Sequence, residues 1–265
     1  MPRPATLLVL AVLLAAGAAG AAGAGGAALV AAGEGRVASV VDGDTLVLEG
    51  GEAVRLVGIQ APKLPLGRAG VAPWPLADEA RAALARLALG RRVRLLVGGR
   101  ERDRYGRRLA QLYRADDGLW LQGEMLSRGL ARVYSFADNR ALVGEMLALE
   151  RAARARGRGL WANPFYFVRD AARPQTIPLG RFELVRGRVV AAARVKRWIY
   201  LNFGADWQRD FTARLRLRDR ALFRTAGRDP LALAGHRVRV RGWTERYNGP
   251  MITLSHPEQI EILDR

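Results

Sequence analysis

From residue 36 onward, apolar positions either alternate with polar ones or come in short unbroken blocks, the pattern of strands interrupted by a few helices. The clearest unit lies at 41–63. It reads Val-Asp-Gly-Asp-Thr-Leu-Val-Leu, a turn of Glu-Gly-Gly-Glu, then Ala-Val-Arg-Leu-Val-Gly-Ile-Gln-Ala-Pro-Lys. This predicts a β-hairpin turned at Gly50-Gly51, with strands over 45–48 and 53–59 following a strand over 36–41. A Pro- and Gly-rich loop over 61–75 leads into a helix over 76–89. That helix has Asp78 and Glu79 in its first turn, Leu84, Leu87 and Ala88 on its apolar side, and Gly90 as its stop. Strands over 92–97 and 109–114 flank a dense charged turn at 100–108. A short helix over 121–128 closes at Gly129, and 131–134 is extended. A longer helix follows, with Asp138 as its N-cap and Leu142, Met146, Leu149 and Ala153 on one face. Gly159-Leu160-Trp161 then turns the chain back, with Trp161 in the core.

The fold expected from this order is mainly β with α. Residues 34–163 form a five-stranded barrel of the oligonucleotide-binding type with about three helices. The Pro-containing stretch 164–180 reads as a linker, and 181–265 as a second small β-barrel, for which the same type is a candidate. Its strands are expected over 183–190, 198–203, 211–217, 237–243 and 251–254, with a short helix over 219–224. Period-two alternation sorts the faces. Arg214 and Arg216 oppose Leu215 and Leu217; Arg237, Arg239 and Arg241 oppose Val238 and Val240; Trp198 and Tyr200 oppose Ile199 and Leu201. Arginine faces beside Trp198 and Tyr200 would make a basic groove with stacking platforms for nucleic acid. The same arginines also suit an ordinary solvated exterior.

Charge shifts the weight between those alternatives. Lys plus Arg number 43 against 25 Asp plus Glu, a net charge of +18, and every cation except Lys63 and Lys196 is arginine. Compositional bias accounts for arginine in place of lysine but not for the excess over acids. The partner implied is nucleic acid or another polyanion, with an anionic membrane surface as the competitor. The absence of cysteine excludes disulfides, thiolate metal sites and cysteine nucleophiles, and the two histidines, His236 and His256, lie far from the hairpin. Residues 1–33 carry a single charge, Arg3. An apolar run over 7–14 and three Ala-Gly-Ala triplets follow, the layout of a signal peptide. The expectation is an exported protein, periplasmic or secreted, the alternative being one anchored by its N-terminus.

In the hairpin, Asp42, Asp44 and Arg55 are the residues with chemistry. Two carboxylates and an arginine on paired strands suit a metal and a phosphate, or a simple ion pair. The wider motif set bears on this choice. Val-Asp-Gly-Asp-Thr, Val-Arg-Leu-Val-Gly-Ile-x-Ala-Pro, Asp-Arg-Tyr-Gly-Arg, Arg-Gly-Leu-Ala-Arg-Val and Gly-Leu-Trp follow one another between 41 and 161. In this order and spacing the segment 36–163 resembles the staphylococcal nuclease (thermonuclease) family. The resemblance implies a nuclease in which carboxylates hold Ca²⁺, a glutamate activates water and two arginines neutralise the phosphate in the transition state. It places Asp44 at the first metal aspartate, and Arg55 and Arg107 at the two phosphate arginines. It also exposes departures. Gln60 stands where the family has its second metal aspartate, Ala61 where it has a threonine, and Lys63 where it has the catalytic glutamate.

Losing one acid to an amide and another to an ammonium disfavours Ca²⁺, since a unit charge at ~4 Å is worth ~4 kcal/mol at an effective dielectric of ~20. Asp42 and Glu79 are the candidates, by proximity in sequence, to take over. The expectation is therefore a phosphate or nucleic-acid site built on Arg55, Arg107 and Lys63. Arg104 and Tyr105 lie beside it, Asp44 and Gln60 form at most a weak metal site, and calcium-dependent hydrolysis is impaired. An active phosphodiesterase with altered metal or base residues, and an envelope-associated structural protein, are the alternatives.

Overall fold

A computed structural model describes residues 28–67 and 69–264; most of the expected leader lies outside them. The chain runs β1 (Val30–Asp42), β2 (Thr45–Leu48), β3 (Ala53–Leu56), β4 (Gly58–Gln60), α1 (Ala77–Ala88), β5 (Arg92–Val97), β6 (Arg108–Arg114), α2 (Leu121–Ser127), β7 (Arg132–Tyr134) and α3 (Val143–Ala155). Five of these strands close a barrel in the order β1-β2-β3-β6-β5. The long β1 makes closure possible: its first half pairs with β5 and its second half with β2. The pairing of β1 with β5 begins at Val30, so the end of the leader read from composition, residue 33, falls inside a barrel strand. Leu46, Val54, Leu56, Leu95 and Leu112 fill the interior, and α1 covers one end with Ala80, Leu84 and Leu87.

The strand expected over 53–59 is two strands. Gly58 breaks it with φ +88°, and a Cβ there would sit 2.6 Å from the Met146 sulfur, so a helix packed on the barrel sets a break that the local pattern hides. β4 leaves the barrel and pairs with β7, placing Gln60 opposite Arg132. The longer helix starts at Val143, with Leu142 in the left-handed region at its N-cap, rather than at Asp138.

The remaining elements are β8 (Arg169–Asp170), β9 (Phe182–Arg188), β10 (Ala191–Val195), β11 (Trp198–Asn202), β12 (Thr212–Arg216), α4 (Arg220–Thr225), β13 (Arg237–Tyr247), β14 (Gly249–Leu254) and β15 (Ile260–Ile262). They form a curled sheet in the order β10-β11-β12-β14-β13-β9-β8, with β15 on β13. β9 and β10 are one bent stretch: Val189 N–H donates to His236 O and Val190 N–H to Asn202 O. The sheet therefore returns to the chain it started from. Its one parallel pairing within that circuit, β12 with β14, corresponds to β3 with β6. Both units thus share one strand order, the second holding its own core around Val185, Leu201, Phe211, Leu215 and Ile252.

The expected linker, 164–180, is not a free connection. Tyr166 is buried and donates to Pro75 O at 2.7 Å, Ala171 and Ile177 are buried, and β8 pairs with β9. Apolar residues between the prolines outweigh the prolines themselves. The two units are joined by a small core of Ala153, Trp161, Phe182 and Leu184 and by buried polar contacts. Ser135 Oγ meets His256 Nε2 at 2.7 Å, and Arg140 forks onto Glu258 at 2.7 Å.

Candidate functional site

The turn from β1 into β2 presents Asp42 and Asp44 beneath a cleft. Asp42 Oδ1 accepts the Asp44 N–H at 3.0 Å, which fixes the turn. Gly43 between them has no room for a side chain, since a Cβ would lie 2.6 Å from that of Ala61 and 2.7 Å from that of Ala80. Register then supplies the partners: Thr45 faces Arg55 across β2 and β3. Asp44 is completely buried. Its oxygens accept from Ala61 N–H (2.8 Å), Lys63 Nζ (3.1 and 3.4 Å), Thr45 Oγ1 (3.3 Å) and Arg55 Nη1. Arg55 spends its other terminal nitrogen on Ile59 O at 3.1 Å.

Burial by itself would raise the Asp44 carboxyl, but the Arg55 guanidinium, then the Lys63 ammonium, hold it well below the usual carboxylate range. Asp42 goes the other way: burial first, then the charge on Asp44, push it up to about 6.

Arg107 is positioned by its own turn. Asp103 accepts the backbone N–H of Tyr105 (2.9 Å) and of Arg107 (3.1 Å), and Nε of Arg107 at 2.8 Å. Arg107 Nη1 reaches Thr45 Oγ1 at 3.3 Å, so the threonine links it to Asp44. Arg104 and Arg107 both lie over the exposed Tyr105 ring, at 4.9 and 5.5 Å from its centre. A cleft of about 440 Å³ opens above these residues. Five cations (Arg55, Lys63, Arg100, Arg104, Arg107) and two acids (Asp103, Asp138) line it. The first-barrel residues singled out in the sequence are thus brought together.

Calcium does not fit this floor. It wants six or more hard oxygens. Asp44 has given its oxygens to protein donors, and Gln60 Oε1 is turned onto buried Arg132 at 2.9 and 3.2 Å. A cation beside Asp44 would face the Lys63 ammonium. Glu79 is exposed in the first turn of α1 and lines no part of the cleft. No cluster of three His, Asp or Glu side chains suited to a metal occurs among the described residues.

In the second unit the arginines divide. Arg214 and Arg216 lie over Trp198 at 4.3 and 4.7 Å, as alternation implied, with Tyr200 opposite Arg214. The stripe of Arg237, Arg239 and Arg241 does not open to solvent as one face. Arg241 is buried and bonds Glu150 (2.9 and 3.0 Å) and Glu261 (2.6 Å), while Arg239 bonds Glu261 at 3.3 Å. Arg237 is exposed at the far end of the strand, its backbone N–H on Asp264. Alternation identified the outer face correctly, but α3 covers it. Two residues escaped the sequence reading. Arg132 is buried against Trp74, Tyr166 and Phe182, and burial brings its pKa down to about 10. Trp243 shares the face of Arg241 by the same alternation and lines the cleft.

The profile described as staphylococcal nuclease homologue matches residues 53–163. Protein ParB of Escherichia coli is 35% identical over 140 residues, covering 49% of this chain and 73% of that one. An uncharacterized endonuclease of Escherichia coli O157:H7 is 37% identical over 134 residues, covering 49% and 77%. The chain belongs to the staphylococcal nuclease family. A probable staphylococcal-like nuclease of Oryza sativa subsp. japonica is 33% identical over 122 residues, but only 30% of its length is covered. The staphylococcal nuclease match ends at residue 163, before the second curled sheet begins.

Proposed function

We propose that this protein is an exported, nucleic-acid-binding member of the family in which calcium-dependent phosphodiester hydrolysis has been lost. A backbone phosphate sits on the cleft floor at Lys63 and Arg107, with the Arg55 guanidinium, bonded to Asp44 and Ile59 O, adding positive charge beneath it. The observation that carries this reading is the saturation of Asp44 by Arg55, Lys63, Thr45 and the Ala61 N–H. A carboxylate with no oxygen to spare serves to hold cations in place, and cations outnumber acids on the cleft wall. Lys63, already charged against Asp44, replaces a base with a phosphate donor. Export rests on the composition of the first residues, which lie outside the described structure.

The test is binding and cleavage of single-stranded DNA and RNA with Ca²⁺ or with a chelator. No cleavage is expected, with equal affinity in both buffers and affinity falling steeply with salt. Lys63→Ala or Arg107→Ala should flatten that salt dependence by about 0.7 per lost contact. Metal-dependent cleavage would overturn the reading. Failure to bind nucleic acid, with binding to vesicles of anionic lipid, would replace it by a membrane-surface role.

A further inference from the structure

The cleft of the first barrel does not end at the boundary between the units. A second groove of about 500 Å³ runs across the curled sheet, and the two share Tyr134, Phe136 and Trp243 as a common wall. Phe136 and Trp243 are 43% and 47% exposed, too much for rings recruited only to fill a core. They are held in place all the same: Trp243 Nε1 donates to the Tyr134 hydroxyl at 2.8 Å, and Phe136 packs edge-on to Tyr134 at 4.7 Å. Beyond this ridge comes Trp198 with Arg214 and Arg216 on it. Arg214 also lies over the Tyr247 ring, 5.1 Å from its centre. A hollow of about 400 Å³ follows, lined by Tyr200, Trp207 and Tyr247.

Along this path cationic groups and flat aromatic faces alternate, as phosphates and bases do along a strand. Arg214 is oriented by Thr253 at 3.1 Å and partly balanced by Glu245 at 3.2 Å, whereas Arg216 has no carboxylate partner among the described residues. The spacing of the two halves is fixed by the buried contacts of Arg241 with Glu150 and of Ser135 with His256 beneath the groove. A duplex stacks its bases on each other and leaves such rings nothing to bind, while a single strand offers each base face.

We infer that the two barrels form one continuous track for a single strand of nucleic acid. It enters at the Lys63 and Arg107 phosphate site, crosses the Phe136–Trp243 ridge and ends on the Trp198, Arg214 and Arg216 platform of the second barrel. This rests on the reading of the first cleft as a phosphate site and adds the direction and length of the ligand.

The experiment uses the full chain with single-stranded DNA probes of about 5 and about 20 nucleotides, chosen around the usual footprint of one or two such folds. The longer probe is expected to bind at least about tenfold tighter after allowance for its extra registers. Trp198→Ala and Arg216→Ala should each cost the long probe about fivefold or more and leave the short probe unchanged, while Trp243→Ala, on the wall shared by both grooves, should weaken both probes. Trp198→Phe, which keeps a stacking face, should restore most of the loss and so separate stacking from misfolding. A long duplex should bind more weakly than the long single strand. The track is overturned if these variants leave long-probe affinity intact while Arg107→Ala still weakens the short probe; the first-cleft reading then survives alone. It is also overturned if the duplex binds as tightly as the single strand. If neither probe binds, both readings fall.

Discussion

Two of the buried knots of arginine and carboxylate among the described residues serve opposite ends. Beneath the cleft, Asp44 faces Arg55 and Lys63, and burial, then the charge on Asp44, pushes the carboxyl of its neighbour Asp42 up to about 6. Between the units, Glu150 and Glu261 surround Arg241, with Arg154 at 2.8 Å from Glu150 and Arg239 at 3.3 Å from Glu261. The first knot opens onto a cleft through Lys63. The second, three arginines on two glutamates, holds Arg241 and Glu150 fully inside, against α3. The same residue types therefore make a binding site or a structural joint according to whether the knot opens to a cleft, not according to their identity.

The joint should be the more costly to break. Arg241→Met leaves Glu150 and Glu261 buried without their shared partner, and a loss of about 3–5 kcal/mol is expected in denaturant unfolding. Replacing Glu150 as well, by a residue of similar size, should recover much of it. A loss under about 1 kcal/mol for Arg241→Met would show that the joint carries little.

Acid tests the same joint through His256. Burial is the chief cause that brings its pKa down to about 4, and its ring nitrogens contact Ser135 and Ser255. A depressed histidine contributes stability above its unfolded value of 6.5 that is lost as pH falls through 4. The expected change between those limits is on the order of 3 kcal/mol. It should be smaller in His256→Gln, measured as unfolding free energy against pH.

At the cleft the sign reverses. Asp42 is raised from 3.8 to about 6, so its contribution is present below 3.8 and lost as pH rises through 6. Asp42→Asn should stabilise the protein at pH 7 by about 2 kcal/mol and give no gain below pH 4, read from melting curves at both pH values.

How far the sequence exposed this arrangement depends on what each feature rests on. The hairpin, α1 and the strand order of the first barrel rest on local periodicity and turn residues, and were legible. The break at Gly58 rests on Met146, almost ninety positions away, and was not. β10 begins Ala-Ala-Ala and carries no alternation, so only its pairing with β11 reveals it. The motifs located Asp44, Arg55, Arg107 and the changed positions Gln60 and Lys63. That Asp44 gives its oxygens to the last of these, and Gln60 its oxygen to Arg132, is set by pairing across the fold and has no local signal. Alternation put Arg239 and Arg241 on an outer face but says nothing about what packs on it.

The central claim is that Asp44 restrains cations rather than binding one. Asp44→Asn keeps the shape of the residue and removes its charge, leaving Arg55 and Lys63 free to meet a phosphate. The decisive measurement is the affinity of this variant for a short single-stranded oligonucleotide, with Ca²⁺ and with a chelator, at a temperature where calorimetry shows it folded. The expected result is binding tighter than wild type by about fivefold, one unit charge partly screened, and indifferent to Ca²⁺. Weaker binding, or the loss of a Ca²⁺-dependent cleavage that the wild type performs, would contradict it.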